Sequence, residues 1–189
     1  MNYCSQYGES VSQRIPPGDH LPRYICDTCN TIYYQNPRVI AGCLPYTEDM
    51  DLLCRRSIEP REGYWTLPAG FLEKGETTAQ GALRETQEEA NADVEEPELY
   101  TLFRLPHISQ IYMFYRAQLN KLDFSPGMES HETRLFTQND IPWDHLAFPV
   151  VTETLRYYFE DCKKGDFPIR SQDIIINPVS YTHLTLPTS

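Results

Sequence analysis

Residues 70–92 read GFLEKGETTAQGALRETQEEANA, a glycine-bearing loop followed by a segment with helical character. Thr77 and Gln80 have the spacing of a capping box, in which each side chain bonds the other residue's backbone N–H. That pattern predicts a helix beginning after Thr77. Asn91 tolerates the left-handed conformation better than most residues do, so we expect the helix to end there.

Three carboxylates crowd one face of this predicted helix. Glu85, Glu88 and Glu89 are three and four residues apart, and side chains at those spacings are neighbours on a helix surface. Like charges so close together destabilise a helix unless they share a cation. Because hard divalent cations prefer oxygen ligands, the pattern predicts a site for Mg²⁺ or Mn²⁺.

The spacing of the whole stretch resembles the Nudix box. That motif reads glycine, five residues, glutamate, seven residues, then Arg-Glu-(apolar)-x-Glu-Glu-x-Gly-(apolar). Two positions depart from it, since Thr86 stands at an apolar position and Asn91 replaces the closing glycine. The glycine and charged positions that match are Gly70, Glu76, Arg84, Glu85, Glu88 and Glu89.

The resemblance implies hydrolysis of a nucleoside diphosphate linked to another group. It implies that Glu85, Glu88, Glu89 and the backbone carbonyl of Ala69 hold the metal. A pyrophosphate repels an attacking hydroxide, and divalent cations neutralise that charge and lower the pKa of a bound water.

Other residues receive roles from the same resemblance. Glu76 orients the helix carboxylates together with Arg84, which forms ion pairs with them. Glu129 and Glu132 are candidates for a further carboxylate, as general base or metal ligand. Strand geometry, rather than the resemblance, adds one more candidate. Arg55 and Arg56 are adjacent on a predicted strand and face opposite sides, so one of them can face the substrate phosphates, and Arg55 is our candidate. The alternative is an ordinary arginine of an edge strand.

The substrate class follows from segments around the box. The stretches WTLPAGFLEKGET at 65–77 and SPGMESHETRLF at 125–136 resemble a Nudix subfamily of FAD and ADP-ribose diphosphatases that release AMP. NADH and CoA-type substrates stay open. A non-catalytic nucleotide-sensing module is the alternative from another class, but it predicts a degraded box.

The first 35 residues resemble the zinc ribbon that precedes some Nudix domains. Cys26 and Cys29 form a C-x-x-C knuckle, and Cys4 lies beyond a loop rich in proline and glycine. Tyr7 stands where the second cysteine of the first knuckle belongs, and a tyrosine hydroxyl is a poor zinc ligand. Water or His20 can complete a tetrahedral zinc site. The alternatives are that zinc is lost or weakly held and that the three thiols are buried or free.

Composition narrows the classes of partner. The chain has 189 residues and a net charge of −11, which argues against a nucleic-acid backbone as partner, because that requires a basic surface. It does not argue against a small nucleotide bound through metal ions. We find no membrane-spanning run and no signal peptide, and we expect a cytoplasmic protein, with a homodimer as one role for the ribbon.

The remaining segments complete an α/β prediction. Strands are expected at 38–46, 51–57, 99–105, 110–119 and 132–136, and a final helix at 149–164. The resemblance to the Nudix family implies that these elements form an α/β/α sandwich with a mixed sheet. The predicted divisions are a ribbon at 1–35, a hydrolase domain at 36–165 and an extension at 166–178. Residues 179–189 match a translated sequencing adapter and are set apart as an artefact.

Overall fold

The computed structural model describes residues 1–175. The adapter-like segment at 179–189 and the end of the predicted extension lie outside the described residues. The chain divides into two compact units, Met1–Pro37 and a second unit that begins at Arg38. No helix within the described range is long and apolar enough to cross a membrane.

The first unit is a small antiparallel sheet. Its strands are β1 (Val11–Arg14), β2 (Arg23–Cys26) and β3 (Ile32–Tyr33), with β2 in the middle. An ion pair of 2.9 Å between Asp19 and Arg23 closes the turn before β2.

The second unit is built on one mixed sheet. Along its main path the strands lie in the order β10-β5-β4-β9-β8-β11, while β6 pairs with β5 and β7 pairs with β4. The β4–β9 and β8–β11 pairs are parallel and the others are antiparallel. The elements are β4 (Arg38–Tyr46), β5 (Asp51–Arg56), β6 (Trp65–Thr66), β7 (Ala69–Phe71), α1 (Thr78–Ala90), β8 (Val94–Leu105), β9 (Gln110–Leu119), β10 (Ser130–Phe136), α2 (Pro149–Cys162) and β11 (Arg170–Asp173).

The two helices cover opposite faces of the sheet, which confirms the predicted α/β/α layers. Cys43 and Leu44 are neighbours on β4, so their side chains point to opposite faces. Cys43 packs in a cluster with Ala82 of α1. Leu44 packs in the larger cluster, which contains Leu155 of α2 and buried aromatic side chains of β8 and β9.

Helix α1 begins and ends as predicted. The Thr77 side chain accepts from the Gln80 amide at 3.2 Å, and the Gln80 side chain accepts from the Thr77 amide at 2.8 Å. Asn91 follows the last helical residue in the left-handed conformation, with φ 46° and ψ 30°.

The sheet extends beyond the predicted boundary at residue 165. Strand β11 pairs in parallel with β8, so the segment that begins at 166 returns to the domain. Arg170 forms an ion pair with the buried Asp161 of α2, and Asp161 also accepts a 2.8 Å hydrogen bond from the Tyr100 hydroxyl. The sequence did not predict β11, because its residues are polar and its partner strand β8 lies far away along the chain.

Candidate active site

The acidic face of α1 lines a cleft of about 1160 Å³ in the second unit. Glu85, Glu88 and Glu89 all lie along it, together with Ala69 and Gly70 of β7. The structure therefore places the three predicted helix carboxylates and the glycine loop on one wall of a single cavity.

Arg84 organises most of this wall. Its Nη2 and Nε donate to the two oxygens of Glu76 at 2.8 and 3.1 Å. Its Nη1 donates to Glu85 at 2.7 Å and to Glu88 at 3.1 Å, and Nη2 also donates to the Phe71 carbonyl at 3.2 Å. Glu76 in turn accepts from the Glu73 amide at 2.7 Å. One guanidinium thus fixes both the loop before the helix and the carboxylates on it.

Glu89 lies apart from that network. It is only 6% exposed, and Oε2 accepts a 3.3 Å hydrogen bond from the Ala69 amide. Burial raises the pKa of Glu89 to about 8, and the negative charges of Glu85 and Glu129 act in the same direction. A buried carboxylate with one hydrogen bond is energetically unfavourable in its charged form, and a bound cation offsets the free-energy cost of that charge.

Arg84 affects the pKa values of Glu76 and Glu85 differently. Hydrogen bonds from Arg84 lower the pKa of Glu76. Burial raises the pKa of Glu85 even though Arg84 opposes the shift. Arg84 therefore does not remove the need for further positive charge on this wall.

The loop between β9 and β10 delivers another carboxylate to the cleft. Glu129 lines the cavity, and its charge contributes to the raised pKa of both Glu85 and Glu89. The Ser57 amide donates to the Glu129 carbonyl at 2.9 Å, which fixes the backbone at that point.

Glu132 and Arg55 lie elsewhere. They face each other across β10 and β5, 3.8 Å apart and about half exposed, and neither lines the cleft. Arg56 occupies the cleft in place of our candidate Arg55, because successive strand residues point to opposite faces. Likewise, Glu129 lines the cleft together with the helix carboxylates, whereas Glu132 pairs with Arg55 outside the cleft.

Two features of the cleft were not anticipated from the sequence. The Arg38 guanidinium lies 4.6 Å from the centre of the Phe71 ring, and both side chains line the cavity. The Arg56 guanidinium lies 5.2 Å from the ring centre of Phe148, and Arg56 Nε donates to the Pro60 carbonyl at 2.9 Å. Phe71 directly follows the box glycine, but its exposure of 48% emerges only in the fold.

The donor set on this wall fits a divalent cation by its chemistry. Glu85, Glu88, Glu89 and Glu129 supply oxygen ligands, the kind that hard cations prefer. Within residues 1–175, no three of these carboxylates bring their oxygens within 4.8 Å of one another. Among residues 1–175, the one group of ligand atoms that does converge lies in the first unit.

That group consists of Cys4, Cys26 and Cys29, whose sulfur atoms lie within 4.8 Å of one another. The Tyr33 hydroxyl donates to Cys4 Sγ at 3.0 Å and is the main cause that lowers the pKa of Cys4 to about 6. His20 lies outside this group, with its ring 3.6 Å from Asp19.

Comparisons with known proteins agree with this geometry. A family model described as "NUDIX domain" matches residues 36–169, and one described as "Nudix N-terminal", a zinc ribbon, matches residues 2–35. A crystal structure of a NUDIX hydrolase from Nitrosomonas europaea is 55% identical, with a TM-score of 0.89 over 92% of this chain and 99% of that one.

Two curated relatives carry more specific names. An NAD-capped RNA hydrolase, NudC, of Edwardsiella ictaluri is 30% identical over 72% of this chain and 52% of its own length. An ADP-ribose pyrophosphatase of Methanocaldococcus jannaschii is 26% identical over 75% of this chain and 81% of its own. The chain spans between about half and three fifths of the length of the first curated relatives that it matches.

Proposed function

Because this chain belongs to the Nudix hydrolase family, we propose that it hydrolyses the diphosphate linkage of a nucleoside diphosphate joined to a second group. FAD or ADP-ribose is the proposed substrate, and AMP is a product. One observation carries the proposal. Glu85, Glu88, Glu89 and Glu129 line one cleft, and the buried Glu89 has no ion-pair partner among the described residues.

Glu85, Glu88, Glu89 and the Ala69 backbone would hold the Mg²⁺ or Mn²⁺ ions. When bound, such ions neutralise phosphate charge and lower the pKa of a coordinated water. Arg84 keeps the Glu85 and Glu88 carboxylates in place through its bonds to both. Two hydrogen bonds from Arg84 to the carboxylate of Glu76 fix the guanidinium itself.

Glu129 is the proposed general base. It lines the cleft on a loop whose backbone is tied to Ser57, and no ion pair neutralises its carboxylate among the described residues. In the reaction a water oxygen attacks one phosphorus, the bridging P–O bond breaks, and Glu129 takes the proton of the water. FAD would give AMP and FMN, and ADP-ribose would give AMP and ribose 5-phosphate.

The rest of the cleft suits a substrate with two substantial groups. Its volume of about 1160 Å³ exceeds the range of roughly 300–1,000 Å³ usual for small-molecule pockets. Arg56 and Arg38 supply positive charge for the diphosphate. The exposed Phe71 ring, with Arg38 beside it, offers a surface on which a planar base can stack.

An NAD-type dinucleotide is the second candidate, because the NudC relative bears the name of an NAD-capped RNA hydrolase. NADH and CoA-type substrates belong in the same test. A nucleotide-sensing module without catalysis is the remaining alternative. The complete set of box carboxylates supports the catalytic role instead.

The decisive experiment incubates the purified protein and Mg²⁺ or Mn²⁺ with FAD, ADP-ribose, NADH, a CoA compound and nucleoside triphosphates. AMP release from FAD or ADP-ribose, lost in Glu89→Gln, is the expected result. Turnover of nucleoside triphosphates alone would overturn the substrate assignment. No turnover of any compound, with the variant behaving identically, would overturn catalysis itself.

We further propose that Cys4, Cys26 and Cys29 hold one Zn²⁺ that stabilises the first unit. Tyr7 stands at the missing ligand position and is exposed. Metal analysis should find about one zinc per chain, held more tightly after Tyr7→Cys. Zinc absent from both proteins would refute the site. Sedimentation of the zinc-loaded chain tests the expected homodimer.

A further inference from the structure

The residue that ends α1 also holds the neighbouring loop. Asn91 has φ 46°, a conformation that glycine takes at lower cost than any other residue. Its side-chain amide Nδ2 lies near three acceptors of the loop before β10. The distances are 3.2 Å to the Ser125 carbonyl, 3.1 Å to Ser125 Oγ and 3.4 Å to the Pro126 carbonyl. A glycine at this position would offer none of these contacts.

The backbone of the same loop is bonded to the end of α1. The last carbonyls of a helix have no partner within the helix. Here the Ser125 amide donates to the Ala90 carbonyl and the Gly127 amide donates to the Glu89 carbonyl, both at 2.9 Å. A Cβ at position 127 would lie 1.7 Å from the Glu88 carbonyl oxygen. The loop therefore packs directly against the turn that carries Glu88 and Glu89.

The far end of the loop is held by Ser57, the residue that follows β5. The Ser57 amide donates to the Glu129 carbonyl at 2.9 Å, and the Ser57 hydroxyl donates to the Met128 carbonyl at 3.2 Å. Glu129 thus stands between two attachments, one to the end of α1 and one to the end of β5. Its place relative to the helix carboxylates depends on both.

We propose that Asn91 is a positioning residue, which holds the 125–129 loop on α1 so that Glu129 lies in the same cleft as Glu85 and Glu89. This inference rests on the proposed function, since it assigns Asn91 an effect that passes through Glu129. Asn91 itself is not among the residues that line the cleft. Its side chain compensates for a conformation that glycine would adopt more cheaply.

Asn91→Gly tests the inference with little risk to folding, because glycine suits the left-handed position after a helix. The variant removes the side-chain amide alone. Asn30→Gly is the matched control, since Asn30 is also exposed and has φ 58°. Two readouts are needed: hydrogen exchange of the 125–130 amides, and kcat and KM in wild-type and Glu129→Gln backgrounds.

We expect Asn91→Gly to speed exchange of the loop amides and to lower kcat about tenfold, with KM nearly unchanged. In the Glu129→Gln background it should lower kcat no further, whereas a general structural defect would add to the loss. Asn30→Gly should change neither readout.

Unchanged exchange would overturn the attachment through Asn91. Faster exchange with an undiminished kcat, or losses that multiply in the double variant, would overturn the link to Glu129. If the wild type hydrolyses nothing, the proposed function and the link to catalysis fail together, while the exchange data still decide the attachment.

Discussion

The backbone of Gly70 lies directly against the carboxylate of Glu85. A Cβ at position 70 would lie 2.3 Å from the Glu85 carboxyl carbon, closer than any two such atoms can approach. Glycine stands here because Glu85 occupies the space of a side chain. Any larger residue at position 70 must therefore displace the Glu85 carboxylate from its present place.

Metal binding should stabilise the fold through Glu89. At a hundredfold excess over its Kd, a ligand that binds only the native state adds about 2.7 kcal/mol to the free energy of unfolding. We expect Mg²⁺ or Mn²⁺ to raise the Tm of the wild type, as measured by calorimetry. Glu89→Gln should lose most of that increase, and Glu132→Gln should keep it. An equal response in all three proteins would contradict a site at Glu89.

Matched Glu→Gln variants at positions 129 and 132 test which carboxylate is the general base. Glu129→Gln should lower kcat about 10²–10⁴-fold, the usual contribution of a positioned base. Glu132→Gln changes an exposed pair with Arg55 outside the cleft, so kcat should stay within about threefold of wild type. Steady-state AMP release at saturating substrate measures both, and the opposite order would assign the base to Glu132.

Arg56 and Arg55 form a second matched pair. Arg56→Ala removes positive charge from the cleft, and a hydrogen bond to a charged group contributes about 1.5–3 kcal/mol. We expect kcat/KM to fall about 10- to 100-fold. Arg55→Ala should have a small effect, because Arg55 bonds the Gly63 carbonyl and lies near Glu132. Similar losses in both variants would show that the cleft does not distinguish the two side chains.

Asp51 should make stability depend on pH. It is 1% exposed, and neither carboxyl oxygen has a hydrogen-bond partner among the residues that the structure describes. Burial raises its pKa to about 8, whereas in the unfolded chain the value is about 3.9. Between these values the native state holds a proton that the unfolded state has lost, so stability falls as pH rises from about 4 to 8.

Asp51→Asn removes that titration. The variant should be more stable than wild type by at least about 2 kcal/mol at pH 9, and the difference should shrink toward pH 5. Urea unfolding across this range measures it. Asp49→Asn, at an exposed position two residues earlier, should follow the wild type. A pH-independent difference for Asp51→Asn would show that the carboxyl is not protonated in the native state.

Local patterns explain what the sequence predicted well. Capping depends on residues a few positions apart, so Thr77 and Gln80 located the start of α1, and Asn91 located its end. The spacing of the box placed Glu85, Glu88 and Glu89 on one face without knowledge of the sheet. The order of the layers came from the resemblance to the Nudix family, while the apolar spacing in residues 149–164 predicted α2 itself.

Register between strands explains what the sequence could not decide. The pairing of β10 with β5 shifts between Ser130 and Glu132, and an irregularity of this kind leaves no mark in the sequence. That shift accompanies the placement of Arg56 and Glu129 in the cleft, away from the cross-strand pair of Arg55 and Glu132. Strand β11 was not predicted, because its pairing also depends on a distant segment of the chain, strand β8.

The parallel pairing of β4 with β9 has a consequence for how the protein reaches its native state. The pair runs in register from Arg38 and Gln110 to Tyr46 and Gln118, and the box helix lies in the chain between the two strands. Bringing these two strands together is slow, because the chain between them must lose conformational entropy before the contacts form. We therefore expect the cleft wall that carries Glu85, Glu88 and Glu89 to form late in folding, after α1 itself.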